Sequence, residues 1–366
     1  MSAMGTLDLI PAGRTFTESD IVVYADPAHR TLDQAIADAD LLVSCPHAGA
    51  AIPEELAEFL SPALTRRLQY DFTDVATAAI VRRWASEDPR TIAVINPHPR
   101  LVRDPNRPRP ADPGADLTAA IARTTEAGPW QPVDLTGVDA IRPVTFSFFP
   151  ILEVPEAEEE RRRLIDAFVE VAERGLGVYE RIRDELTERI VSRRLTTGGR
   201  FTRLSFHDTM NTTTTPDGAV NVPREEKDRL PRVVALSNRG DERGEARADP
   251  SDPPTMAPEH LRALAQAHRR AFPVGSPEDV SLNRPYLGSQ EIRAAGARFR
   301  ELAAPAAAAG LALDAVQAEF LREYLLGAAA TELLHRPGDD WVEEDPAHVD
   351  AVADACRRAW DLYREG

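Results

Sequence analysis

Two histidines stand out because of what precedes them. His47 follows the apolar run Leu41-Leu42-Val43-Ser44-Cys45, with Pro46 between, and His207 follows Phe201-Thr202-Arg203-Leu204-Ser205-Phe206. Each run reads as a buried strand. In open α/β sheets, ligand sites gather at the carboxyl ends of strands. Two strands that each deliver a histidine there predict two imidazoles in one cleft. Neutral imidazole is a favoured zinc ligand, and a catalytic zinc takes three protein ligands plus an open position for water. Neither HExxH nor a short His-x-x-Glu spacing occurs at these positions, so the third ligand must come from elsewhere. Asp71 is the candidate. It falls on the apolar stripe Leu64, Leu68, Phe72, Val75, Ala79 of a predicted helix, where a carboxylate is costly unless a cation or donors meet it. Asp74, close by on the same segment, is the alternative. Gly49 leaves room for close approach beside His47.

Three further segments carry chemistry. Arg100, Arg103 and Arg107, with Asn106 among them, follow directly on an apolar run. Guanidinium forks bind carboxylates at two points, so this segment is the expected grip on an acidic substrate or on the oxyanion of an acyl transfer. Glu319 interrupts the apolar run Val316 to Phe320 and is the candidate general base; a buried salt bridge to an arginine is its structural alternative. Asn283 sits where Val280 to Gly288 runs from a strand end into a glycine turn, a plausible cavity wall. His98, in Asn96-Pro97-His98-Pro99, reads as part of a rigid turn. Cys45 reads as sheet packing.

Those residues need a scaffold that alternates strands and helices. Strands are expected at Leu41 to Cys45, Thr91 to Asn96, Phe201 to Phe206, Arg232 to Leu236 and Leu311 to Phe320. Helices are expected over 64–84, 156–194, 258–271, 291–299 and 346–363, the second carrying a Gly175/Gly177 pair that kinks or divides it. Long loops are expected near 105–115, 208–224 and 240–258. No repeat or linker divides residues 1–366, so one α/β domain with a mixed sheet and helices on both faces is expected.

Composition narrows the partners. The 366 residues carry a formal charge of -17, which argues against nucleic acid or an anionic membrane as the main partner. Two cysteines, Cys45 and Cys356, exclude a disulfide framework and fit a reducing compartment. The start, Met-Ser-Ala-Met-Gly-Thr-Leu-Asp, lacks a signal-peptide pattern, and no apolar run is long enough to span a bilayer. A soluble, cytoplasmic protein acting on a small molecule is the expectation; oligomeric state is not written in the sequence.

Taken in order, the motifs resemble the N-formylglutamate amidohydrolase family. Ser44, Pro46, His47 and Gly49 match its serine-x-proline-histidine-x-glycine signature, and Asp71 or Asp74 its helical aspartate. Arg100, Leu101, Asp104, Asn106 and Arg107 match its arginine–apolar and aspartate-x-asparagine-arginine elements. His207, then Asn283, Pro285, Tyr286 and Gly288, then Gln317 and Glu319, complete the set. The resemblance implies a three-layer α/β/α sandwich of the zinc carboxypeptidase-like type. It implies one zinc per chain on His47, His207 and an aspartate, with Glu319 as acid/base. Arg107 would polarise the carbonyl or grip substrate, with Arg100, Arg103, Asn106 and Asn283 around it. The implied reaction is hydrolysis of an N-formyl or N-acyl amino acid. A peptidase-like hydrolase of a larger amide, or a binding protein that keeps the fold without turnover, are the competing readings. The family places aspartate two residues before the second histidine and serine after it; this chain has Ser205 and Asp208, which leaves the partner of the His207 ring open.

Overall fold

The computed structural model describes residues 7–366; the first six residues, part of the segment read for a leader sequence, lie outside the described residues. The central sheet has seven strands: β1 (Val22–Tyr24), β2 (Leu41–Cys45), β3 (Thr91–Ile95), β4 (Gly199–Thr209), β5 (Val234–Ser237), β6 (Val280–Leu282) and β7 (Leu311–Leu321), in the order β6-β5-β7-β4-β2-β3-β1. The four inner strands β7, β4, β2 and β3 run parallel. β1 closes one edge antiparallel to β3, and β5 runs antiparallel to β7 with β6 parallel to it. The sheet is therefore mixed, and the carboxyl ends of the four parallel strands share one edge.

Helices cover both faces, giving the expected three layers. The helices used below are α1 (Arg66–Asp71), α2 (Ala76–Glu87), α3 (Pro113–Ala127), α4 (Glu158–Val171), α5 (Gly177–Thr197), α6 (Pro258–Ala271), α7 (Gln290–Glu301), α8 (Arg322–Leu326) and α9 (Pro346–Glu365). On one face Leu42, Ile92, Val94, Phe201 and Ala315 pack against α5 and α7 through Tyr179, Ile182, Leu186, Ile292 and Phe299. On the other, Leu41, Val43, Leu204, Phe206 and Val316 pack against α2, α6 and α9 through Trp84, Leu264 and Trp360. Full burial of each such side chain contributes roughly 1.5–3 kcal/mol. A third cluster, including Ile52, Leu68, Phe72, Leu101, Val102 and Phe168, ties the segments that follow β2 and β3 to α1 and α4. This cluster fixes the loops above the sheet edge.

The structure refines the sequence reading at several places. The helix expected over 64–84 is two helices, α1 and α2, broken at Phe72–Val75. The long helix expected over 156–194 divides, as its Gly175/Gly177 pair predicts, at a π turn, Ala172–Leu176. There a Cβ on Gly175 would lie 2.0 Å from the His98 ring, so only glycine lets the helix pass. The loop expected at 208–224 contains a small hairpin, Thr212–Thr214 with Val220–Pro223. β1 and α3 have no counterpart in the expected elements. No helix among the described residues is long and apolar enough to cross a membrane.

Candidate metal centre and active site

The strand register sets the site. Ser44 of β2 pairs with Ser205 of β4, and Gln317 and Glu319 of β7 pair with Ser205 and His207. Alternate residues of a strand share a face. Ser44, Ser205, His207, Gln317 and Glu319 therefore share one side of the sheet near its carboxyl edge. His207 lies inside β4, two residues before its end, rather than beyond it. His47 enters from the loop after β2, where Gly49 lets the chain press against the next loop: a Cβ there would stand 2.2 Å from the Pro97 carbonyl oxygen. The two rings stand side by side, centroids 4.9 Å apart.

Asp74, not Asp71, joins them. Nδ1 of His207 lies 2.8 Å and Nδ1 of His47 3.3 Å from the same oxygen, Asp74 Oδ2. The reason is the helix break. The Asp74 amide donates to the His47 carbonyl at 2.8 Å, which turns the chain and points the carboxylate inward. The opened end of α1 is capped by Arg322, which donates to the Asp71 carbonyl at 3.0 Å, to the Thr73 carbonyl and to the Asp208 carboxylate. The Asp71 side chain instead accepts from Ser147 at 3.4 Å, and burial raises its pKa. It lines the same cavity without reaching the histidines.

The surroundings suit a bound cation. His47, Asp74 and His207 are all buried, and one ligand atom from each lies within 4.8 Å of the others. His47 Nε2 donates to Asp104 Oδ1 at 2.6 Å, and Arg100 donates to Asp104 Oδ2 at 2.8 Å. A carboxylate on one ring nitrogen leaves the lone pair on the other, the usual support of a metal-bound histidine. Burial alone would raise Asp74 and Asp104. The facing imidazoles, with Arg100 beside Asp104, outweigh it and hold both carboxyls well below the usual range. Burial and Arg100 oppose a charged His47, yet Asp104 and Asp74 raise its pKa. Two imidazole nitrogens and a carboxylate oxygen converging at a buried site fit a divalent metal of the zinc type.

Above the group lies a cavity of ≈ 250 Å³. Glu319 lines it, its oxygens fixed by Thr209 Oγ1 at 2.6 Å and Gln317 Nε2 at 2.9 Å. Arg100, Asn106 and Arg107 also line it. Arg107 pairs with the partly exposed Asp139. Asn106 Nδ2 stands 3.2 Å from His207 Nε2 and donates to Ser289.

Two expected substrate residues point elsewhere. Arg103 is buried against α5, paired with Glu180 at 2.5 Å, because its neighbours in the motif take the cavity side. Asn283 bonds Asn238 and the Asp241 carbonyl, at 2.9 and 2.6 Å, and so braces two loops together. Neither lines the cavity. His98 packs away from the site against Phe16, as a turn residue would. Cys45 is buried in the core.

The sequence reading did not single out Glu291, Arg322 or Arg224. Glu291 opens a helix, where an acid is unremarkable, and Arg322 stands at a strand end. Arg224 lines the cavity, donates to Tyr286 at 2.7 Å and has no carboxylate partner among the described residues. Asp104 enters that reading only within the arginine motif, although its spacing of four from Arg100 was a usable signal.

Fold and site together define a three-layer α/β protein with a His–Asp–His group at the carboxyl edge of a mixed sheet. The family model described as N-formylglutamate amidohydrolase matches residues 39–322. The chain belongs to the N-formylglutamate amidohydrolase family, and amidohydrolase activity is the function that membership supports. A crystal structure of N-formylglutamate amidohydrolase from Ralstonia eutropha JMP134 is similar in fold, with a TM-score of 0.51 at 19% identity, covering 94% of this chain and 98% of that one. Comparison with curated proteins returns no match.

Proposed function

We propose that the chain is a zinc-dependent amidohydrolase of a small N-acylated amino acid, N-formylglutamate or a close analogue. The observation that carries this reading is the buried His47, Asp74, His207 group opening into a cavity that also presents Glu319 and arginines. His47, Asp74 and His207 would hold the metal, and the donor set of two imidazole nitrogens and a carboxylate suits zinc. When bound, zinc supplies Lewis acidity and lowers the pKa of water toward about 7.

The remaining steps belong to the chain's own groups. Glu319, held by two donors, takes a proton from the attacking water and returns it to the leaving nitrogen. Arg100 is committed to Asp104, so it stays in place and meets developing negative charge on the carbonyl oxygen. Arg107 and Arg224 grip substrate carboxylate, Arg107 exchanging its partly exposed Asp139 partner for it. Asn106 faces the cavity and orients substrate. The products are a small carboxylate and a free amino acid. A cavity of ≈ 250 Å³ favours such a substrate over a peptide-sized one. We further propose one α/β unit acting in the cytoplasm, supported by two buried free thiols.

Metal analysis and turnover on three variants test the assignment. Glu319→Gln keeps zinc and loses turnover by at least about a hundredfold. His47→Ala and His207→Ala lose the zinc itself. Equal zinc in all three would remove the histidines from the metal shell. Short peptides hydrolysed in preference to N-formylglutamate would overturn the substrate assignment.

A further inference from the structure

Glu291 is a buried carboxylate that the proposed chemistry does not use. It sits in the first turn of α7, buried, and accepts from Arg183 at 2.5 Å and Tyr179 at 2.9 Å on one oxygen. Its other oxygen accepts from Ser44 at 2.6 Å and Ser205 at 3.0 Å. Burial opposes its charge, but Arg183 and Arg203 with the hydroxyls of Ser44 and Tyr179 bring its pKa down to about 2. An ion pair this deep is an expensive way to gain stability alone.

The direction of these bonds gives it a purpose. Ser205 Oγ lies 2.9 Å from His207 Nε2 as well as 3.0 Å from Glu291 Oε2. A hydroxyl has one proton, and a carboxylate only accepts. Ser205 therefore gives its proton to Glu291 and turns a lone pair toward the ring. With its proton held on Nε2, the ring can give its Nδ1 lone pair to a cation; Asp74 Oδ2, 2.8 Å from Nδ1, accepts a proton there whenever no cation takes that place. A competitor is present. Asn106 Nδ2 stands 3.2 Å from the same Nε2, and its amide is fixed in that sense because Asn106 Oδ1 accepts the Glu291 backbone amide at 3.1 Å. A donor there favours the opposite tautomer, with the proton on Nδ1 and no lone pair for a metal. Of the two partners of Nε2, the Ser205 contact is the shorter, at 2.9 against 3.2 Å, and it ends on an ionised carboxylate, so it prevails over Asn106.

We propose that Glu291, acting through Ser205, is a positioning residue that fixes the metal-ligating tautomer of His207, in a relay running His207 Nε2–H to Ser205 Oγ–H to the Glu291 carboxylate. This rests on the zinc reading above.

The test is zinc affinity, measured by chelator competition on the purified full chain, with thermal unfolding as a check on folding. Ser205→Ala removes the relay without touching the Glu291–Arg183 pair and weakens zinc about 10- to 100-fold. Ser44→Ala removes an equivalent bond to Glu291 but none to His207, and costs less than about fivefold, the scale of one hydrogen bond. Ser205→Thr, which keeps the hydroxyl, returns affinity to within that same range of about fivefold. Unchanged affinity in Ser205→Ala, or equal losses in Ser205→Ala and Ser44→Ala, overturns the relay while leaving the zinc reading intact. A wild-type chain that binds no zinc overturns both.

Discussion

Arg322→Met should be among the most damaging single substitutions in the protein, and its cost should come mainly from two backbone carbonyls. The guanidinium is buried and serves three acceptors: the Asp208 carboxylate, the Asp71 carbonyl at 3.0 Å and the Thr73 carbonyl. Breaking a buried ion pair is usually the dominant penalty, at about 3–5 kcal/mol. Here that penalty is blunted. Burial has already raised the Asp208 carboxyl to about 7, against the pull of Arg322, with the charges on Asp74 and Glu319 adding to the rise. Without Arg322 the acid goes neutral near pH 7 rather than remaining a stranded charge. The two carbonyls have no such escape, and each unsatisfied group costs about 1–3 kcal/mol. The sum is on the order of 4 kcal/mol, a large share of the roughly 5–15 kcal/mol of a typical domain. Urea unfolding at pH 7.5 reads it as a lower midpoint at unchanged slope. Zinc affinity falls with it, because the turn that Arg322 holds carries Asp74. In an Asp208→Asn background the same substitution should still cost more than about 2 kcal/mol. A total loss below about 1 kcal/mol, or a loss that vanishes in that background, would refute the reasoning.

Other outcomes follow from the same contacts. Asp104→Asn removes the carboxylate behind His47 and should weaken zinc about 10- to 100-fold, read by chelator competition; unchanged affinity would mean the ring is oriented by something else. Arg224→Gln should raise KM for a dicarboxylic acylated amino acid while leaving kcat near wild type; a pure kcat loss would place the side chain at the reacting bond. Gly49→Ala should destabilise by about 1–3 kcal/mol in urea, since the new methyl meets the Pro97 carbonyl at 2.2 Å and the loop must yield. His268 is buried and neutral, its pKa lowered by burial from 6.5 to about 4, while its Nδ1 bonds the Leu264 carbonyl. Below pH 6.5 the unfolded chain takes up a proton that the folded one refuses. Stability is thus full above the unfolded value and falls as pH drops toward the folded one, by about 2 kcal/mol at pH 5. His268→Phe should remove that share of the acid sensitivity in unfolding curves recorded at pH 7 and 5.

Much of this was legible in local sequence because the signals were local. β2 and β3 are short apolar runs, and β4 and β7 carry an apolar segment inside longer strands, so all four could be read from local sequence, although β4 extends past Phe206 to Thr209. Their parallel order then brings His47, His207 and Glu319 to one edge without further information. The acidic member of the group was read as Asp71, with Asp74 the alternative, because helical spacing continues through Phe72–Val75. What breaks it is Arg322, some 250 positions away in sequence. Arg103 and Arg107 look alike in sequence, and only packing against α5 sends one away from the cavity. Glu291 gave no signal, since an acid in a first helical turn is what any helix prefers. The strand pairing of Ser44 with Ser205 supplies its meaning, and that pairing is a property of the fold.

The central claim is that one divalent ion is held between His47, Asp74 and His207. Anomalous diffraction from crystals grown with zinc, recorded on both sides of its absorption edge, tests it most directly. The account predicts a single strong peak bounded by the Nδ1 atoms of the two histidines and a carboxylate oxygen of Asp74. A peak on Asp71, or zinc bound only at the surface, would contradict it.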